Sequence, residues 1–203
     1  MSPPKTMPVQ PADPAPPGNA LENRTNPVWA ELVQLVPVVA LALPFILTGE
    51  VDLARAGPGF FVAAALTIPI TVVVYRHGYL SNPILVGASL WLWLGAAAFG
   101  FHWAAVVQWL AETQAFGLFL GALCVGTVYA LVSPWGYVGF RSPHGGWVRR
   151  ASLGLLALTV LSVVWAWFMR HDVRLGGGLP FILLNVVRRV LIARAPSGAG
   201  TGA

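Results

Sequence analysis

Apolar residues run along this chain in long blocks, and polar residues gather between them. Five stretches, 32–48, 57–75, 84–101, 115–133 and 151–169, hold 17 to 19 residues each without one Lys, Arg, Asp, Glu or His. A helix rises 1.5 Å per residue, so ~20 residues cross a hydrocarbon core of ~30 Å. Backbone amides in lipid must bond within their own segment, so runs of this length predict spanning helices. A barrel would instead show alternating stretches of about ten residues.

A sixth stretch, 175–193, reads LGGGLPFILLNVVRRVLIA and offers only 13 residues before Arg188 and Arg189 interrupt it. It either spans, with both arginines snorkelling at the boundary, or lies on the surface and leaves five crossings. Basic residues decide between these. With six crossings and a cytoplasmic N-terminus, Lys5, Arg24, Arg76, Arg141, Arg149, Arg150, Arg188, Arg189 and Arg194 share one side and Arg55, Arg170 and Arg174 the other. With five crossings the two sides carry equal numbers and the bias vanishes. The positive-inside rule therefore predicts six spans with both termini cytoplasmic.

Between the third and fourth stretches, FHWAAVVQWLAETQ (101–114) is too short to span. Val106, Val107, Leu110 and Ala111 form one apolar stripe and Gln108 and Glu112 lie opposite, which predicts an interfacial helix. Trp29, Tyr75, Tyr79, Trp103, Trp135, Tyr137, Trp147 and Trp167 fall near segment ends, where amphipathic rings prefer the headgroup level. Trp91 and Trp93 lie in the middle of the third stretch. They are expected to pack against a helix, lipid or a bound hydrophobic molecule such as a pigment or quinone.

Composition supports this reading: 57% of residues are hydrophobic and 9% charged, too little polarity to coat a water-soluble globule of 203 residues. The expected architecture is an all-α, polytopic transmembrane helical bundle over residues 28–195. It is preceded by a Pro-rich tail (1–27) expected to be disordered and followed by a flexible tail (196–203). The basic pI of about 10.1 comes from arginines between apolar runs, which orients a membrane protein and does not imply nucleic acid. The single cysteine, Cys124, forbids an intramolecular disulfide and is read as a lipid-buried thiol.

Candidate chemistry is sparse. The five clear stretches contain no ionisable residue, Glu31, Glu50, Asp52, Glu112 and Asp172 fall at segment ends or in loops, and the four histidines lie on separate loops. No catalytic residue, metal site or dedicated cofactor is predicted, although lipid or a hydrophobic pigment or quinone would suit the composition. The densest polar group, Arg170, His171, Asp172 and Arg174, reads as an interface anchor. An enzyme would use it to hold an anion and move a proton. Packing signals are clearer: Gly117 and Gly121 form a GxxxG pair continued by Gly126, and Gly95 opens GAAAFG in the third stretch. Pro37, Pro44 and Pro69 fall inside spans and suit a transporter with kinked helices.

From about residue 31 to 170 the layout resembles the bacterial intracellular septation protein A family. The likeness rests on LVQLVPVVALALPFIL, the acidic loop GEVDLARA, VVVYRHGYLSNP, AFGFHWAAVVQWL and AFGLFLGALCVG. It implies a small inner-membrane protein that affects envelope synthesis and division without being an enzyme. The expected function is accordingly a non-catalytic accessory, assembly or scaffold component of a membrane complex in the cytoplasmic membrane, partnered by the lipid bilayer and other membrane subunits. The alternative is a small transporter or a protein handling lipid or another hydrophobic ligand.

Overall fold

The computed structural model describes residues 26–48, 53–140, 142, 144–170, 172 and 174–196. Its helices are α1 (Val28–Thr48), α2 (Leu53–Arg76), α3 (Pro83–Gly100), α4 (Ala104–Thr113), α5 (Ala115–Val132), α6 (Gly145–Phe168) and α7 (Leu179–Ala193). Among the described residues there is no strand. The protein is an all-helical integral membrane protein: every helix but the ten-residue α4 belongs to a segment long and apolar enough to cross a bilayer.

The sixth span reaches sufficient length by a device that residue counting missed. A single π-helical turn, Arg174–Gly178, leads into α7, so the segment Arg174–Ala193 is 20 residues long. Arg188 does not end it, because its charge is neutralised inside the bundle, as described below. Of the expected tails, residues 1–25 and 197–203 lie outside the described residues. Asn26 exchanges hydrogen bonds with the backbone of Leu80, which holds the entry to α1 against the α2–α3 turn.

Local chemistry explains the helix boundaries. Asn82 caps α3 by accepting from the Ile84 amide, and Pro83 occupies the first helical position, where a missing N–H costs nothing. α4 is the expected short amphipathic helix: Leu110 is buried, whereas Gln108 donates to Glu112 at 3.0 Å on the exposed side. Gln114 separates α4 from α5 with φ 43° and ψ −120°, a backbone conformation that L-residues rarely adopt. Both α1 and α2 run continuously through their internal prolines.

The spans pack as an open ring. α1 lies on α2, α2 on α3, α3 on α5, α5 on α6 and α6 on α7, while α1 and α7 do not pack closely on each other. α3 is the most enclosed span and makes its tightest contact with α5. There Gly87 meets Gly121 and Ala122 backbone to backbone, so that a Cβ on Gly87 would lie 2.4 Å from the Ala122 Cα. The GxxxG pair is thus consumed inside the chain: Gly121 abuts the Gly87 carbonyl and Gly117 receives the Trp91 ring. Gly126 likewise accommodates Tyr137, and Gly95 accommodates Phe60.

Candidate functional site

Chain direction alternates from span to span, so the start of α1, the α2–α3 turn, the α5–α6 loop and the end of α7 share one end of the bundle. Polar side chains gather there. Arg188 is 1% exposed, donates through Nε to the Val138 carbonyl at 2.9 Å and pairs through a terminal nitrogen with Glu31 at 2.8 Å. Arg189, 41% exposed, donates to the second Glu31 oxygen. Glu31 is itself only 12% exposed. A carboxylate and a guanidinium out of water are tolerable only as a fully bonded pair, and this one ties α1 to α7 where their backbones do not pack.

The clasp extends sideways. Gln34, one turn after Glu31, accepts from the Asn82 amide at 2.9 Å, and Asn82 donates to Asn185 at 2.8 Å, one turn before Arg188. Tyr137, expected as an interface anchor, is instead fully buried. Its amide donates to Ser152 Oγ, and its hydroxyl lies 3.1 Å from Thr159 Oγ1. Burial pushes the phenol up to about 12, against the opposing pull of the Thr159 hydrogen bond and Arg188. The group therefore stays neutral at physiological pH. The Tyr137 hydroxyl on Thr159 and the Val138–Arg188 bond hold the α5–α6 loop against α6 and α7.

Arg188 thus differs from its expected role. It does not snorkel to the headgroups, because Glu31 and the Val138 carbonyl offer it better partners within reach. The signal for this was present: Glu31 with Gln34, and Asn185 with Arg188, are polar pairs spaced one helical turn apart at the same end of two otherwise apolar helices.

Above this clasp the gap between α1 and α7 opens into a cavity of about 360 Å³. Leu35, Val38 and Ala42 line it from α1, Phe181 from α7 and Phe60 from α2. Trp91 contributes its indole and packs edge-on against Trp109 at 5.3 Å. From Leu35 to Phe45 the α1 wall runs ten residues, or about 15 Å. Val39, Leu43 and Ile182 both line the cavity and stand exposed on the outer surface, so the opening faces sideways, where the acyl chains of a bilayer lie.

Gln114 borders the cavity at the end opposite the clasp. Its side-chain oxygen is buried and accepts no hydrogen bond among the described residues. A buried acceptor without a donor costs about 1–3 kcal/mol.

The other sequence candidates lie apart from this region. Trp93 faces outward and donates to Thr67 at 3.0 Å. Asp172 accepts from the amides of Arg174 and Leu175 and so caps the π turn, and Arg170 lies 4.9 Å over the Trp167 ring. His171 falls outside the described residues. Among the described residues no group of three or more His, Cys, Asp or Glu is placed to hold a metal. Cys124 lies on the outer face of α5. The chain matches no family model, no curated protein and no solved structure.

Proposed function

We propose that the protein binds a hydrophobic, membrane-dissolved molecule, entering from the side between α1 and α7, and acts as a lipid- or hydrophobic-ligand-handling membrane protein. The carrying observation is the cavity itself. It lies within the size range of ligand sites, ~300–1,000 Å³, its described walls are apolar apart from Gln114 and the Trp91 indole N–H, and its mouth is open to the bilayer. The accessory-subunit reading has lost its sharpest packing signal, because the glycine face of α5 is filled by α3 and Tyr137.

Gly178 provides a direct test. It lines the cavity, its φ of −65° suits any residue, and a Cβ there meets nothing within 4 Å. Gly178→Phe should fill the cavity while leaving the bundle intact. Native mass spectrometry of protein extracted in gentle detergent is expected to show one retained apolar ligand on the wild type and loss of that species in the variant. Equal retention by both would refute the proposal.

The membrane we assign is the bacterial cytoplasmic membrane, with both termini on the cytoplasmic side. The arginine asymmetry and the resemblance to the septation family support this. A cysteine added beyond Arg194 in a Cys124→Ser background should resist an impermeant thiol reagent in intact cells and react after lysis. Labelling in intact cells would reverse the orientation.

A further inference from the structure

We infer that the ligand is a single apolar chain ending in a hydroxyl, such as a long-chain alcohol or prenol, with the hydroxyl held by the Gln114 carboxamide. This rests on the cavity being a ligand site and adds the chemical class that site selects. Three observations lead to it.

The first is capacity. The ~360 Å³ cavity takes one apolar chain laid along the ~15 Å run of the α1 wall. The second is placement. Among the described residues Gln114 is the one side chain on the cavity lining that both donates and accepts hydrogen bonds, the Trp91 indole being a donor only, and it sits at one end of that run, beside Leu110 at the α4–α5 junction. An occupant can therefore lay its chain along α1 and present a single polar terminus to Gln114. The third is chemistry. The carboxamide oxygen is buried and accepts no hydrogen bond among the described residues. A hydroxyl both donates and accepts, so it satisfies either group of the carboxamide as its terminal torsion turns. An ester, ether or quinone carbonyl accepts only and leaves the buried oxygen without a donor. A carboxylate also only accepts, and among the described residues no cationic side chain lines the cavity to offset its charge.

The unusual backbone of Gln114 fits this role. The φ of 43° that ends α4 and starts α5 is a conformation that strains a non-glycine residue, so glycine would be the unstrained choice. Glycine would provide no carboxamide.

The test compares 1-dodecanol with its methyl ether, an acceptor-only probe of nearly equal size. Both displace tritium-labelled 1-dodecanol from purified protein in phosphatidylcholine nanodiscs. The expected result is tighter binding of the alcohol by about fivefold, the worth of one net hydrogen bond. Gln114→Met, which keeps the side-chain volume, should remove that preference while still binding the ether. Equal binding of both probes by the wild type, or a preference that survives Gln114→Met, would overturn the hydroxyl assignment. The cavity reading would stand in that case if Gly178→Phe abolishes binding. Displacement by neither probe, or displacement unchanged by Gly178→Phe, would overturn both.

Discussion

Replacing Glu31 by leucine is expected to be the most damaging single change at the clasp, more so than removing Arg188. Without Glu31 the Arg188 guanidinium remains 1% exposed with only the Val138 carbonyl as partner, next to the positive charge of Arg189. An uncompensated buried charge costs about 3–5 kcal/mol. For a chain of this size that corresponds to a fall in unfolding midpoint of roughly 6–20 °C. Arg188→Met is expected to cost less, about 1–3 kcal/mol, because Glu31 keeps Arg189 as a partner and the main loss is the donor to Val138. The double variant Glu31→Leu/Arg188→Met should be more stable than Glu31→Leu alone, since it removes the stranded charge. Thermal unfolding in detergent, read by size exclusion or intrinsic fluorescence, measures all three. Equal damage from the two single variants, or no recovery in the double, would show that Arg188 does not depend on Glu31.

Gly87→Ala is expected to prevent correct assembly of the bundle. The added methyl would lie 2.4 Å from the Ala122 Cα and 2.7 Å from the Gly121 carbonyl carbon. Both are backbone atoms, so no rotamer change relieves the clash and α3 must move away from α5. Overpacking in ordinary cores costs 1–3 kcal/mol; here two helix axes must separate, and the expected cost is about 3 kcal/mol or more. Because α3 also carries Trp91 into Gly117, the shift should open the cavity floor and weaken ligand retention together with stability. Gly154→Ala on α6 is the matched control. A Cβ there meets nothing within 4 Å, so the variant should gain slightly from helix propensity. A monodisperse Gly87→Ala protein as stable as Gly154→Ala would refute the close approach.

The two ends of the gap between α1 and α7 are chemically distinct. At one end Glu31, Arg188 and Asn185 hold the helices through charge and hydrogen bonds. At the other, the Gln114 side-chain oxygen has no donor among the described residues. The first arrangement supplies stability at the cost of buried charge, and the second leaves a group unsatisfied until something else supplies a donor. The lateral mouth lies between them, where neither helix packs on the other.

The sequence by itself determined the class and most of the layout. Uninterrupted apolar runs dictated spanning helices, because lipid leaves the backbone no other way to satisfy its amides, and the stripe through Val106 and Leu110 marked α4. The arginine count favoured a sixth crossing that residue length alone disfavoured, and that crossing is a 20-residue segment. What only the tertiary structure decided was how distant residues meet. Glu31 and Arg188 are separated by 157 positions, and nothing local to either identifies its partner. The Arg170–Arg174 group was conspicuous because its charges are adjacent in sequence, yet Asp172 serves there as a cap. Gln114 was inconspicuous because it ends an amphipathic stretch where a polar residue is unremarkable. Its significance arises from burial beside an apolar cavity, which depends on the placement of α1, α5 and α7 together. Pairing and enclosure of this kind are properties of the packed bundle, and sequence periodicity carries no record of them.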